Sequence, residues 1–213
     1  MTEENTINRK EQLREVACEL FLKHGFDATS MSSIAKHAGG VSKRTPYIYY
    51  DSKHDLFSAV IRGFLQELEK LLEPLWQQRG GAVESITACV RAYANFAIVN
   101  PEKFKLIMTF EKRDFYPGRT QAMMANALSC QQTNDRITVN LQETVARAIA
   151  DGELNTNMTA KQFSLLLWSA LSGTLSIALE RQDLLADVYD WSAQDMVDQF
   201  IEAFIHSNKI QPN

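Results

Sequence analysis

The apolar residues of this chain recur at the helical period, and glycines interrupt them early at intervals that leave room only for small helices. Leu13, Val16, Ala17, Leu20 and Phe21 fall at i, i+3, i+4, i+7 and i+8, one face of an α-helix from about Ile7 to His24. Gly25 then ends it, because glycine takes the left-handed conformation of a helix stop and Phe26 after it can fold back on the last turn. Ser30 is the expected N-cap of a second, short helix with Met31, Ile34, Ala35 and Ala38 on one face, ending at Gly39-Gly40. A third short element follows from Val41 to Tyr50, with Ser42 placed to cap it. Two short helices joined by a glycine turn and packed on a longer first helix predict a helix-turn-helix.

Beyond Lys53 the spacing of Leu56, Val60, Phe64, Leu68, Leu71 and Leu75 marks a long amphipathic helix, broken by Pro74 and the Gln-Gln-Arg-Gly-Gly run at 77–81. Further helices are expected at about 82–99, 101–113, 118–151, 159–182 and 192–208, with Pro101, Pro117-Gly118, Gly152 and Ser192 at the junctions. Only nine glycines and five prolines punctuate stretches rich in Ala, Leu, Glu, Gln and Met. The expected fold is therefore all-α: an N-terminal three-helix helix-turn-helix domain at 1–53 and a C-terminal helical bundle at 54–213. The segment Phe163 to Leu179 is apolar on nearly every side and must be covered from two directions, while the last helix carries Met196, Val197, Phe200, Ile201 and Phe204 opposite Asp195, Asp198 and Glu202. Two such helices meeting their copies would make a four-helix homodimer interface through Phe163, Leu167, Leu171, Leu175, Phe200 and Phe204. That both helices only fill the chain's own core is the other reading.

The composition, 45% hydrophobic and 23% charged, is that of a folded globular chain. A net charge of −4 divides unevenly: residues 1–53 hold eight basic and seven acidic side chains, a net +1, and the remainder holds −5. Within Ser30 to Lys53, Lys36, Lys43, Arg44 and Lys53 face Asp51 alone, a small basic patch compatible with phosphate contact. Cys18, Cys89 and Cys130 are odd in number and far apart, which suggests reduced thiols in a cytosol rather than disulfides or a zinc site. No unbroken apolar run reaches a membrane span and the N-terminus is polar, so a cytoplasmic protein without a membrane partner is expected. His24, His37, His54 and His206 are scattered, and no metalloprotease, nucleophile-elbow or phosphate-loop motif occurs. No catalytic residue, metal site or cofactor is assigned.

The run Ala17, Leu20, Phe21, Gly25, Phe26, Thr29, Ser30, Ile34, Ala35, Ala38, Gly39, Val41, Ser42, Lys43, Thr45, Tyr47, Ser52, Lys53, Leu56 resembles the N-terminal DNA-binding domain of the TetR family. The resemblance covers about the first 60 residues and implies a transcriptional regulator, most readily a homodimeric repressor that a ligand releases from a pseudo-palindromic operator in double-stranded DNA. It also implies that 54–213 binds the effector and dimerises. The alternative is a helical small-molecule-binding dimer whose operator binding is weak or lost. Ser42, Lys43, Arg44, Thr45, Tyr47 and Lys53 are the expected DNA contacts. Lys43, Arg44 and Thr45 can present donors to base edges, Arg being suited to bidentate contact with guanine, and Thr45, Tyr47 and Lys53 can donate to phosphates.

Two residues depart from the family pattern. Gly40 adds one residue to a turn usually written Ala-Gly-Val-Ser, and Pro46 stands where the family usually has Leu. Proline removes an amide and pushes Thr45 away from the α region. Either Ser42 caps and Pro46 is the fourth helical residue, or Thr45 caps and Pro46 is the first. In the second domain Tyr93, Phe96, Phe104, Met108, Met124 and Trp168 are candidates to line a cavity for a small apolar or amphipathic effector, with ordinary core packing as the competing role.

Overall fold

The computed structural model describes residues 3–76, 80–112 and 123–209, and among them every regular element is helical. Ten α-helices follow in order: α1 (Glu3–Ala28), α2 (Met31–His37), α3 (Pro46–Tyr49), α4 (Lys53–Trp76), α5 (Ala82–Val99), α6 (Pro101–Lys112), α7 (Met123–Ala150), α8 (Ala160–Glu180), α9 (Gln182–Tyr189) and α10 (Ala193–Phe204). The chain forms two compact units, Met1–Glu67 with Glu102–Asn134, and Leu68–Pro101 with Asp135–Asn213. The first unit thus gathers the helix-turn-helix residues, the start of α4, nearly all of α6 and the start of α7.

In the first unit α1, α2 and α3 pack on one another around Leu13, Ala17, Phe21, Ile34 and Ala35, all fully buried. Phe57 of α4 stands at the centre of a ring cluster: Phe21 lies edge-on at 5.1 Å, Phe26 at 4.7 Å and Phe110 at 6.3 Å. Such pairs add about 0.5–1.5 kcal/mol each to the area they bury. The phenol of Tyr50, just past α3, donates to the Lys10 carbonyl at 3.2 Å, and burial pushes its pKa up to about 12. Further along, α7 is tied to α4: the Asn126 amide donates to Asp55 Oδ1 at 2.8 Å, and Cys130 Sγ donates to the Ser58 carbonyl at 2.9 Å.

In the second unit α8 packs against α5, α9 and α10. At α5, α8 and α10 a side chain satisfies otherwise orphaned amides of the first turn. Thr159 with Gln162 and Ser192 with Asp195 form reciprocal capping boxes at α8 and α10. At α5 the N-cap is Gly81, and the carboxylate of Glu153 accepts from the Ala82 and Val83 amides at 2.9 and 3.0 Å. A Cβ at Gly81 would stand 2.6 Å from that carboxylate, so glycine there lets the acid reach the helix end.

Helix α4 runs through Pro74 to Trp76 instead of breaking at that proline, and α1 continues past Gly25, which kinks it (φ 77, ψ 171), to Ala28. The observed helices depart from the sequence expectation at three further places. Helix α9 lies in the stretch left unassigned between the expected helices at 159–182 and 192–208; its eight residues are too few for the i, i+4 pairs Leu184/Val188 and Leu185/Tyr189 to stand out as a helix, and only Leu185 is buried. The expected helix start at 118 falls outside the described residues, and α7 is described from Met123. Third, α5 and α8 are both long and apolar enough by length and composition to cross a membrane. Neither is an unbroken apolar run: Glu84 and Arg91 interrupt α5, and Ser, Thr and Gly punctuate the larger side chains of α8. Here both serve as packed helices of the second unit.

Candidate nucleic-acid interface

Two glycine-ended helices show how the extra residue at Gly40 is accommodated. At the end of α7, Gly152 (φ 69) sits where the Glu153 amide reaches the Ala148 carbonyl, five residues back, and the Gly152 amide reaches Ile149, three back. This is the ordinary Schellman stop. At the end of α2 the nested pair is wider by one residue at each level: the Val41 amide bonds Ala35, six back, and the Gly40 amide bonds Lys36, four back. Gly39 (φ 84) and Gly40 (φ 67) both lie in the left-handed region, which two successive residues with side chains would enter only at a cost of about 1–2 kcal/mol each. The turn absorbs the insertion and keeps its hydrogen bonds.

Pro46 is accommodated in a similar way. The Ser42 carbonyl, which an amide at position 46 would approach in a regular helix, already accepts from the Thr45 amide at 2.8 Å. The Ser42 hydroxyl accepts from the Arg44 amide at 3.3 Å, so the first turn begins at Ser42 with three-residue spacing and the α-helical turn begins at Pro46. Both capping expectations therefore hold a part of the answer: Ser42 opens the turn and Pro46 is the first α-helical residue. The expectation for Thr45 is corrected, since it stays in the right-handed helical region (φ −58, ψ −45) despite the following proline. Hydrogen bonds from the Thr45 amide to Ser42 and from the Ile48 amide to Thr45 hold it there.

The result is a short helix with two distinct faces. Pro46 and Tyr50 are buried, and Thr45 and Tyr49 half-buried, against α1 and α2. Tyr47 and Ile48 of α3 are exposed, as are Ser42, Lys43 and Arg44 in the turn just before it. Five of the six expected DNA contacts thus lie together at this end of the unit, with Thr45 at the edge of the exposed face. Ile48, absent from the expected contacts, is an apolar side chain whose exposure shows only once the buried face of α3 is known.

Lys53 has another job. Its ammonium donates to the carbonyls of Phe26 at 3.0 Å and Thr29 at 2.9 Å and lies 4.2 Å from the centre of the Phe26 ring. Buried Thr29 completes the clamp by donating its hydroxyl to the Gly25 and Leu20 carbonyls at 2.8 and 3.2 Å. Together they satisfy the open end of α1 and fix the link to α2. Asp55, buried two residues on, accepts from the Asp51 amide at 3.2 Å with the carboxylate that also accepts from Asn126. A hydrogen-bonded path therefore runs from the end of α3 through α4 to α7 inside the first unit.

The other candidate residues separate. Tyr93, Phe96 and Trp168 belong to the second unit, Phe104 and Met108 to the first. Phe96, Phe104 and Met108 are buried, Tyr93 is half-buried, and Trp168 stands on the outer face of α8. The Met124 side chain lies outside the described residues. Phe163, Leu167, Leu171 and Leu175, expected at a dimer interface, are buried within the chain itself, Phe163 against Phe204 at 5.5 Å between ring centres. Phe200 and Phe204 are half-buried and stacked at 5.3 Å. The face that α8 leaves open carries Leu165 (64% exposed), Leu166, Ser169, Gly173 and Ile177. Among the described residues no group of His, Cys, Asp and Glu is arranged to hold a metal ion.

Residues 13–60 match the family model described as bacterial regulatory proteins, tetR family. The HTH-type transcriptional regulator AcrR of Shigella flexneri is 23% identical over 197 residues, covering 90% of this chain and 89% of that protein. Among solved structures, FadR of Bacillus subtilis in complex with stearoyl-CoA superposes with a TM-score of 0.68 at 13% identity, covering 92% of this chain and 97% of FadR. AibR in complex with isovaleryl coenzyme A and operator DNA gives 0.64 at 18% identity, covering 92% of this chain and 98% of AibR. At these identities the structural likeness speaks for the fold.

Proposed function

This chain belongs to the TetR family of bacterial regulatory proteins and is a DNA-binding transcriptional regulator, and from that premise we propose that it is a cytoplasmic homodimeric repressor released from a pseudo-palindromic operator by a small apolar or amphipathic effector. Residues 1–53 read the DNA, and 54–213 bind the effector and dimerise. The observation that carries the reading is the set of exposed residues on α3 and in the turn before it, whose every departure from the family pattern is absorbed by hydrogen bonds. Arg44 and Lys43 address base edges in the major groove, and Ser42, Thr45 and Tyr47 supply hydroxyl donors to flanking phosphates. Lys53 acts chiefly by clamping the end of α1.

A single copy of this unit reads only a few base pairs, so specificity calls for two copies on half-sites related by two-fold symmetry. The partner face is the open side of α8, Leu165, Leu166, Ser169, Gly173 and Ile177. A contiguous apolar strip of this kind is what a protein interface covers. The effector class is supported by the two acyl-coenzyme A complexes among the structural neighbours. Helices α4 and α7 each contribute residues to both compact units, and the Asp55–Asn126 bond joins them next to α3. An effector that favours one setting of these helices by about 1–3 kcal/mol shifts occupancy of the operator several-fold or more.

Selection of duplexes from a random pool by the full chain, followed by titration at several salt concentrations, tests this. The proposal expects an enriched inverted repeat and a logarithmic salt slope of about −0.9 per neutralised phosphate. An enriched site without two-fold symmetry contradicts the dimer, and no enrichment contradicts the repressor.

A further inference from the structure

We infer that Ile48 is a specificity-determining residue that reads the C5-methyl group of a thymine in the operator, an inference that rests on the DNA-binding role proposed above. Ile48 is 72% exposed, among the most exposed large apolar side chains of the described residues, and it stands in a four-residue helix otherwise anchored by the buried Pro46. The fold therefore makes almost no use of its side chain. Arg44, in the turn that leads into α3, and Tyr47, beside Ile48 in α3, are exposed with it at the same end of the unit.

The neighbours decide what that partner is. Lys43 and Arg44 are exposed immediately before it and Tyr47, 55% exposed, beside it, and these side chains offer positive charge and a phenolic hydroxyl to an anionic partner. A purely apolar partner would have to strip water from that charge to reach the isoleucine. The major groove meets both demands, since it is lined by phosphates and its one apolar feature at the base edges is the thymine methyl. A branched aliphatic side chain has no donor or acceptor and can distinguish thymine from the other bases only through that methyl. Arg44 selecting a guanine and Ile48 a thymine one or two steps away would then make a two-residue code.

The test uses duplexes enriched from a random pool by the full-length wild-type chain. Each thymine in turn is replaced by deoxyuridine, which removes only the methyl and keeps the base pair. At one symmetric pair of positions the wild type should lose about 4-fold per methyl, on the order of 10-fold for both half-sites, as expected for one buried carbon at each. Ile48→Ala should lose a similar factor on thymine DNA, show no further loss on the uracil duplex, and keep the wild-type melting temperature. If the wild type is indifferent to uracil everywhere, or Ile48→Ala retains the full uracil penalty, the inference is overturned while the DNA-binding role stands. If the wild type enriches no duplex at all, both fall together.

Discussion

The helix-turn-helix region and the α8–α10 region are both helical, yet they use their residues in opposite ways. In the first, single side chains hold single joints. Gly39 and Gly40 take the two left-handed positions of the widened turn, Thr29 and Lys53 close the end of α1, and Phe57 fills the space between three other rings. In the second, Leu167, Leu171, Leu175, Val197 and Ile201 fill a volume that other aliphatic residues of similar size could share. A site that must present a few groups at fixed angles needs particular residues at particular spacings. A bundle that must enclose volume needs only the right pattern.

Substitutions should expose the contrast most sharply in the cores. Phe57→Ala, at a fully buried ring, is expected to cost about 3–5 kcal/mol in chemical denaturation, whereas Leu175→Met, equally buried in the second unit, should cost less than about 1.5 kcal/mol. Equal costs would break the comparison. The clamp comes next: Lys53→Met keeps the aliphatic stem and removes the donor to Phe26 and Thr29, and a loss of about 1–3 kcal/mol is expected. Unchanged stability together with a reduced salt slope of DNA binding would return Lys53 to the phosphate role that its sequence position suggested.

The clamp made by Lys53 marks the limit of what could be read from the chain alone. The first helices, their caps and their glycine stops were legible because Gly25, Ser30 and Gly39 are residues whose backbone chemistry announces their position. Arg44 and Tyr47 were legible as DNA contacts from their donor chemistry and the family resemblance, whereas the exposure of Tyr47 and the burial of Tyr50 had to come from the structure. Lys53 was not legible, since a lysine at a helix start near a basic patch looks the same in sequence whether its ammonium meets a phosphate or two carbonyls 24 and 27 residues earlier. Nor was the orientation of α8, where apolar residues surround the helix and no periodicity separates Leu167, turned inward, from Leu165, turned outward. Short α9 spans only eight residues, barely two turns, too few for an apolar period to separate it from a loop.

Smaller effects sharpen the same contrast. Gly40→Ala places a side chain at φ 67 with open space around it, so the cost is backbone strain alone, about 1–2 kcal/mol, with little change in the cooperativity of unfolding. A change within a few tenths of a kcal/mol would mean that the widened turn relaxes. Smallest is the dependence on acid. Hydrogen bonds from Arg14, Arg136 and Lys209 hold the carboxyls of Glu11, Glu69 and Glu84 below their usual range. Their contribution is present above the ordinary carboxylate pKa and is lost as pH falls through the lowered folded values. These groups are largely solvated, so each should add only about 0–1 kcal/mol, seen as a shallow fall in melting temperature below about pH 4.5.

The central claim is that the exposed residues of α3 and of the turn before it read DNA sequence, and Arg44→Ala tests it most directly. Wild type and variant are titrated at one salt concentration onto the enriched duplex and onto a scrambled duplex of the same composition. The wild type should bind the enriched duplex about 10³-fold more tightly or better. The variant should lose about 1–3 kcal/mol per contact there, lose less on the scrambled duplex, and melt at the wild-type temperature. Equal binding of both duplexes by the wild type, or identical titrations for wild type and variant, would contradict the account.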